Sequence, residues 1–233
     1  MNAEFDKLAN SYDDWHGNLI KGSGFDREYF LEYKVKEVFR ICKKQNFAPK
    51  TILDFGCGVG DVEPYLQKHF LDSQIFGVDI SSESIETAKT KTSGATYAAL
   101  ENDWIKAGAL SQLGVTFDLV FIAGVFHHAP SEEHLEIIKA IKSQMSANAK
   151  IFIFELNPYN PATRHVFSKY EKPVDKNADL IKPKSIKRIL INSGFHPSRI
   201  IYTIFFPNAL RIFIPLEKFL GFIPLGAHYY LYA

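Results

Sequence analysis

The stretch ILDFGCGVGD, residues 52–61, decides the fold of this chain. A short apolar run leads into three glycines at alternate positions, Gly56, Gly58 and Gly60, and an amphipathic segment follows them. Glycine adopts backbone angles that other residues resist, and without a Cβ it lets a ligand approach the main chain. The pattern predicts a strand, a ligand-holding turn and a helix, although such glycine turns also serve plain tight packing. Asp61 stands where a dinucleotide-binding fingerprint has its last glycine.

A second signal lies at the end of the next apolar run. Asp79 closes the run IFGVD, 19 residues after Gly60, and Ile80 follows it. A carboxylate at that place can accept hydrogen bonds from both hydroxyls of an adenosine ribose. The alternative is that Asp79 caps the helix expected over residues 82–91. Because the glycine turn lies one strand away, ribose binding is the favoured interpretation.

The alternation of apolar runs with amphipathic segments predicts an α/β fold with a mostly parallel sheet. Short runs bounded by turn residues are typical of buried parallel strands, and they occupy residues 51–55, 74–80, 96–99, 117–123 and 150–156. Helices are expected over residues 25–47, 61–70, 82–91, 131–145 and 183–193, the third of them with Ser81 or Ser82 as N-cap. Residues 199–206 and 228–232 are expected to form an antiparallel edge pair, and residues 157–182 a long irregular stretch.

Composition narrows the class of protein. The 27 Lys and Arg residues nearly balance the 26 Asp and Glu residues, which argues against a nucleic-acid binder that works by overall charge. The length of 233 residues and the 46% hydrophobic content favour a single domain over residues 1–233. Two cysteines build no disulfide framework, and no Cys/His spacing resembles a zinc site, so no metal is expected. The amino terminus does not resemble a signal peptide and no long apolar run occurs, so we expect a cytoplasmic protein without a membrane span.

Taken together, the motifs resemble those of the class I S-adenosylmethionine-dependent methyltransferases. The resemblance is carried by LDFGCGVG (53–60), GVDIS (77–81), FDLVFIAGVFHHAPSEEH (117–134) and ELNP (155–158). Two further stretches, ELNPYNPATRHVF (155–167) and the aromatic-rich residues 205–230, are similar to a bacterial-type branch of small-molecule enzymes. The resemblance implies a Rossmann-like, doubly wound sheet of about seven strands with one antiparallel strand near the carboxyl terminus. It also implies a helical lid at 1–48, a cofactor-binding core at 50–157 and a substrate side at 158–233.

The resemblance further assigns S-adenosylmethionine as cofactor and distributes its parts. The glycines would line the methionine part, Asp54 would hold its ammonium group, and the ribose would lie at Asp79 beside Ile80. The adenine and the remaining backbone contacts would fall to Asn102, Asp103, Ala123 and Gly124.

Two adjacent histidines are the candidates for catalysis. His127 and His128 follow the fourth strand, at the edge where a doubly wound sheet binds its ligands. A histidine titrates near neutral pH and can take a proton from the methyl acceptor. His128 stands at the position that resembles the catalytic histidine of phosphoethanolamine methyltransferases, in which an amino-terminal tyrosine assists, here Tyr12. The alternative is that His127 packs against the cofactor and His128 caps the next helix.

Three more polar residues are candidates for binding the acceptor. Glu155 and Asn157 end the fifth strand, where Glu155 is placed to orient a histidine or to bind a cationic acceptor. Arg164 follows in the long stretch, and its guanidinium suits a carboxylate or a phosphate. The alternatives are a strand-end cap, a turn set by Pro158 and a surface arginine.

Residues 201–233 are rich in aromatic side chains and hold only three charged residues. They suit a pocket wall, a homodimer face, a peripheral membrane contact or a plainly packed hairpin. We therefore expect a cytoplasmic methyltransferase that acts on an oxygen or nitrogen of a small molecule: a sugar phosphate or nucleotide sugar, or a lipid-like or aromatic acceptor. The alternatives are an NAD(P)-dependent oxidoreductase, against which Asp61 weighs, and a non-catalytic module that binds the cofactor.

Overall fold

The computed structural model describes residues 20–100, 108–171 and 176–233, so the predicted site residues Tyr12, Asn102 and Asp103 lie outside it. The strands are β1 Thr51–Phe55, β2 Gln74–Asp79, β3 Ala95–Ala99, β4 Phe117–Ala123, β5 Met145–Leu156, β6 Ile201–Thr203 and β7 His228–Tyr232. The α-helices are α1 Arg27–Lys44, α2 Glu63–His69, α3 Ser82–Lys91, α4 Gly108–Ser111, α5 His134–Ser143, α6 Pro161–Val166, α7 Pro183–Asn192 and α8 Glu217–Leu220. Two 3₁₀ helices, Lys21–Ser23 and Asn208–Leu216, and a π-helical turn, Phe167–Glu171, complete the described elements.

The described strands form one seven-stranded sheet in the order β3-β2-β1-β4-β5-β7-β6. The five strands β1 to β5 pair in parallel, and β7 runs antiparallel to both β5 and β6. The predicted doubly wound sheet and its antiparallel strand are therefore confirmed. The strand order reverses between β1 and β4, and in such a sheet the crevice outside the carboxyl ends of these strands is where ligands bind.

Alternate side chains of the central strands face opposite layers of helices. On one face Leu53 and Ile122 pack in a cluster with Ile137 of α5 and Ile186 of α7. On the other face Ile52, Leu119 and Phe121 pack with Val35 of α1 and Leu66 of α2. Because both faces are covered, the strands are apolar almost throughout, as their sequence indicates.

The helix ends follow from local hydrogen bonds. Ser81 is the N-cap of α3, since its hydroxyl accepts a bond from the Ser84 amide at 3.1 Å, which resolves the choice between Ser81 and Ser82. Asp26 caps α1 in the same way through the Tyr29 amide. Gly194, with φ of +74°, lies just beyond α7, as a glycine at a helix end does.

Two expectations about the carboxyl-terminal half are wrong in their bounds. The strand expected over residues 199–206 is only Ile201–Thr203, because Ile204 has φ of +63° and leaves the extended conformation. The amides of residues 204 to 206 bond to the carboxylate of Glu217 at 2.8 to 3.2 Å instead of to a strand. The stretch 157–182 is not irregular throughout, since Asn160 caps a helix there, α6, through the Thr163 amide. Within the described residues no helix combines the length and the apolar character that crossing a bilayer requires.

Candidate functional site

A cavity of about 480 Å³ opens at the carboxyl ends of β1, β4 and β5. Its wall includes Asp54 and Gly56 of the predicted cofactor set, Ala123 and Gly124 at the end of β4, and the candidates His127, His128 and Glu155. Helices α1 and α6 and residues 204–207 contribute the remaining sides. The structure thus brings together, in one cavity, residues that are as far apart in the sequence as Ile20 and His228.

The glycine turn is required by its own packing as well as by any ligand. Gly56, Gly58 and Gly60 all have positive φ, between +55° and +79°. A Cβ on Gly56 would lie 2.3 Å from a methyl carbon of Val125, and one on Gly60 would lie 2.8 Å from the Cβ of Ala88. At Gly56 the turn therefore exposes bare backbone to the cavity. At Gly60 its backbone packs tightly against Ala88 of α3.

Asp79 holds this turn in place from the next strand. One carboxylate oxygen accepts a bond from the Gly58 amide and the other from the Ser81 amide, both at 2.9 Å. Since Ser81 supplies the N-cap of α3, Asp79 is a brace between turn and helix rather than the cap itself. A carboxylate has about four acceptor sites, so Asp79 keeps acceptor capacity for hydroxyl donors beyond the amides that it bonds. Asp79 and Ile80 are both partly exposed.

Asp54 presents a buried acceptor to the cavity. Its side chain is 2% exposed, and its Oδ2 atom has no hydrogen-bond partner among the described residues. Burial and the nearby carboxylates of Glu63 and Asp79 raise the pKa of Asp54 well above its usual range, against the opposing charge of Lys34. A buried carboxylate of this kind is stabilised by a cation that both neutralises it and donates a hydrogen bond. This corner of the cavity therefore fits an ammonium group.

Asp61 has a role that its departure from the fingerprint did not suggest. Its carboxylate forms ion pairs with Arg27 of α1 and with Lys91 at the end of α3, the latter at 3.0 Å. The residue after the last glycine thereby ties the turn to helices on both sides. A glycine at that position would provide neither contact.

His127 and Glu155 form a buried pair at the cavity wall. The Nδ1 atom of His127 lies 2.8 Å from one carboxylate oxygen of Glu155, and the Phe126 amide donates to the other oxygen at 2.8 Å. Burial alone raises the pKa of Glu155, but the charge and hydrogen bond of His127, together with the Phe126 amide, outweigh it and lower the pKa. An ionised Glu155 accepts a hydrogen bond from Nδ1–H of His127, so the ring keeps that proton and has Nε2 as its basic nitrogen.

His128 lies beside the His127–Glu155 pair at the cavity wall. The rings of His127 and His128 are 4.0 Å apart between centroids, and both line the cavity. Helix α5 begins at His134 with Glu133 as its N-cap, so His128 does not cap the next helix. Choosing between adjacent histidines needs the position of Glu155, 28 residues further on, which the local sequence does not contain.

The structure does not place Asn157 and Arg164 in the cavity wall. Asn157 is fully buried, and its amide group donates to the carbonyls of Pro224 and Gly226 and accepts from the Tyr159 amide. Arg164 is exposed on α6. Among the described residues, no group of three His, Cys, Asp or Glu side chains is arranged to hold a metal ion.

The sequence analysis missed His228, which also lines the cavity. This residue begins β7 opposite Leu156, and its ring stacks on that of Phe30 at 5.8 Å. Burial lowers the pKa of His228 to about 3, so the ring is neutral at neutral pH. The signal that could have found it is the antiparallel direction of β7, since the first residue of such a strand lies where the parallel strands end.

The comparisons with known proteins agree with this geometry. Residues 53–151 match the sequence model of a family described as "Methyltransferase domain". A SAM-dependent methyltransferase from Archaeoglobus fulgidus is 20% identical, with a TM-score of 0.60 over 89% of this chain and 99% of its own. The magnesium protoporphyrin IX methyltransferase of Synechocystis PCC 6803, solved with bound S-adenosylhomocysteine, is 18% identical, with a TM-score of 0.61 over 97% and 95%. A TehB-like SAM-dependent methyltransferase from Corynebacterium glutamicum is 16% identical, with a TM-score of 0.62 over 97% of both chains.

At these identities the solved structures show a shared fold, and the matched domain covers the strands that carry the glycine turn and the acidic end of β2. The predicted motifs, the strand order and the domain match all point to one conclusion. Residues 53–151 match a methyltransferase domain, and the chain as a whole has the fold of the solved SAM-dependent methyltransferases.

Proposed function

We propose that this chain transfers the methyl group of S-adenosylmethionine to an oxygen or nitrogen of an apolar small molecule. The observation that carries the proposal is the cavity itself, because Asp54, whose Oδ2 atom has no hydrogen-bond partner among the described residues, lines the same space as the His127–Glu155 pair. Methyl transfer to an acceptor that carries a proton needs a place for the donor and, beside it, a group that accepts that proton.

The cofactor side is assigned to the residues around the glycine turn. Asp54 offers its buried oxygen to the ammonium group, and the bare backbone at Gly56 leaves room for the methionine part. The remaining acceptor sites of Asp79 suit the ribose hydroxyls. Ala123 and Gly124 offer backbone at the end of β4. The solved Synechocystis relative with bound S-adenosylhomocysteine supports this choice of cofactor.

Proton removal is assigned to His127. The cofactor supplies an already activated methyl group, so the protein mainly aligns the acceptor and removes its proton. Glu155 holds the imidazole ring of His127 with Nε2 as the basic nitrogen and stabilises the positive charge that the ring gains. His128 also lines the cavity, and we assign it to contact with the acceptor.

An apolar acceptor suits the walls better than a sugar phosphate. Phe30, Phe154, Phe167 and Phe205 line the cavity. Arg164, on which the expectation of an anionic acceptor partly rests, lies exposed on α6 and outside the lining. Two cations do line the cavity, Arg27 and Lys34, but Arg27 is already ion-paired with Asp61, and burial lowers the pKa of Lys34 to about 8. A phosphate in the cavity would therefore lose its hydration without gaining a guanidinium that is free to bind it. We therefore favour a lipid-like or aromatic acceptor.

Calorimetry and an acceptor panel test the proposal. S-adenosylhomocysteine should bind the wild-type protein, and Asp54→Asn should weaken binding at least tenfold (about 1.4 kcal/mol), while Arg164→Ala should leave it unchanged. A labelled-methyl assay should show transfer to alkylated phenols or fatty amines and none to a sugar phosphate. Absence of binding by the folded wild-type protein would overturn the cofactor assignment. Transfer to the sugar phosphate alone would overturn the acceptor class while leaving the enzyme class standing.

A further inference from the structure

An exposed apolar face lies next to the cavity, on residues 208–225. Of the ten large apolar side chains that are exposed among the described residues, seven belong to this segment. Ile212 is 79% exposed, Phe222 68% and Phe219 65%. Soluble proteins rarely leave so many large apolar side chains together in water unless the surface binds something.

The first half of this face is a helix without a buried side. The 3₁₀ helix Asn208–Leu216 has the sequence NALRIFIPL, and none of its residues is buried. A short helix in water is ordinarily stabilised by packing one apolar face against a core. Here the apolar side chains face outward, so the core does not account for them.

The face is nevertheless firmly fixed to the protein. Asn208 donates from its side chain to the Gly24 carbonyl, and the amide of Tyr202 donates to the Gly221 carbonyl at 2.9 Å. The carboxylate of Glu217 accepts the amides of residues 204 to 206. A loosely attached loop would bury its apolar residues on the nearest surface, whereas this segment holds them away from the core.

Charge indicates what covers the face. Residues 208–225 contain three charged side chains, and the single acidic one, Glu217, is 9% exposed and bonded inward. The two cations, Arg211 and Lys218, are exposed. The outward surface is therefore apolar and purely cationic, which matches an anionic lipid surface. A second copy of the same face would bring like charges together, which weakens a symmetric pairing.

We propose that the 208–225 face binds the surface of an anionic membrane, with its aromatic and aliphatic side chains inserted at the headgroup level and its two cations on the lipid phosphates. The chain runs into this face directly from Phe205, Phe206 and Pro207, which line the cavity. Docking in this orientation brings the cavity to the bilayer surface. The proposal concerns the surface alone and holds whether or not the proposed acceptor is correct.

Vesicle co-sedimentation of the full chain tests the proposal. Binding to vesicles of phosphatidylcholine with one quarter phosphatidylglycerol should exceed binding to pure phosphatidylcholine and should weaken as salt rises. Phe219→Ser with Phe222→Ser should reduce binding at least about tenfold. Arg211→Gln with Lys218→Gln should reduce it about fivefold for each charge removed. Leu71→Ser is the matched control, since Leu71 is 85% exposed in the turn before β2, at the amino end of that strand and away from the cavity at the carboxyl ends.

Folding of each variant is checked by calorimetry with S-adenosylhomocysteine and by thermal melting, and Ile212→Ser serves as a further variant if the double change does not fold. Equal binding of wild type and variants, or equal binding to neutral and anionic vesicles, would overturn the proposal. The proposal would also be overturned if the protein did not bind vesicles and light scattering showed a dimer that the serine variants dissociate, because the face would then pair with a second copy.

Discussion

Replacing Gly56 by alanine should destabilise the protein by an amount that can be divided into two causes. The backbone of Gly56 has φ of +79°, which costs an L-residue about 1–2 kcal/mol. The new Cβ would also lie 2.3 Å from the Val125 methyl carbon, and relieving such overpacking costs about 1–3 kcal/mol. The expected loss in free energy of unfolding is the sum, about 2–5 kcal/mol.

Gly114 provides the matched control for the first cause. It has φ of +68°, but nothing lies within 4 Å of the Cβ that alanine would add. Gly114→Ala should therefore show the backbone cost without the clash. Urea unfolding of the two variants should differ by about 1–3 kcal/mol.

A double-mutant cycle with Val125→Ala isolates the second cause. Val125 is 7% exposed, so its truncation alone should cost about 1–3 kcal/mol. In the Gly56→Ala background the same truncation removes the clashing methyl, and the double variant should be more stable than the sum of the single effects predicts by at least 1 kcal/mol. Additivity within about 0.5 kcal/mol would refute the argument from steric contact, as would a Gly56→Ala variant no less stable than Gly114→Ala.

Three further predictions concern buried polar groups. His127→Ala removes the proposed base and should lower kcat about 10²–10⁴-fold. Glu155→Gln should lower kcat less and should shift its pH dependence. An unchanged pH dependence of kcat in Glu155→Gln would contradict the role of Glu155 in positioning His127. Burial raises the pKa of Glu63 to about 8, above its usual 4.5. Because the folded state holds this proton more tightly than the unfolded state, the free energy of unfolding should fall as the pH rises from 4.5 to 8. The fall should reach up to about 1.4 kcal/mol per pH unit in the wild type and should be absent in Glu63→Gln. Parallel urea midpoints for the two proteins across that range would exclude this titration. Asn157→Ala should lower the free energy of unfolding by about 2–4 kcal/mol, because two carbonyls lose their hydrogen bonds. The control Arg164→Ala should change it by less than about 0.5 kcal/mol. Similar losses in the two variants would contradict the buried position of Asn157.

The parts of the fold that the sequence predicts well are those with local causes. The strand, the glycine turn and the start of the helix near residues 52–61 follow from neighbouring residues. Helix α3 has the predicted bounds because the hydroxyl of Ser81 accepts a hydrogen bond from the Ser84 amide in its first turn. The bounds of β6 escape such reasoning. They depend on Glu217, whose carboxylate takes the amides that would have extended the strand.

The candidate site shows the same division. Both Asp54 and Gly56 lie in the cavity wall. The sequence indicates a ligand at Gly56 through the glycine turn and at Asp54 through the family resemblance. It does not distinguish His127 from His128, because the contact with Glu155 joins two different strand ends. Whether the side chain of Asn157 points inward is likewise decided by carbonyls nearly seventy residues away.

The position of β7 has a consequence for the order in which the molecule is assembled. This strand lies between β5 and β6, so β6 has no neighbour to bond with until residues 228–232 have left the ribosome. Before that point the nascent chain carries β5 with one open edge, which invites pairing with another chain. Pairing of these five residues with β5 both covers the β5 edge and delivers His228 to the cavity, so we expect the complete cavity and the protection of β5 to be acquired together.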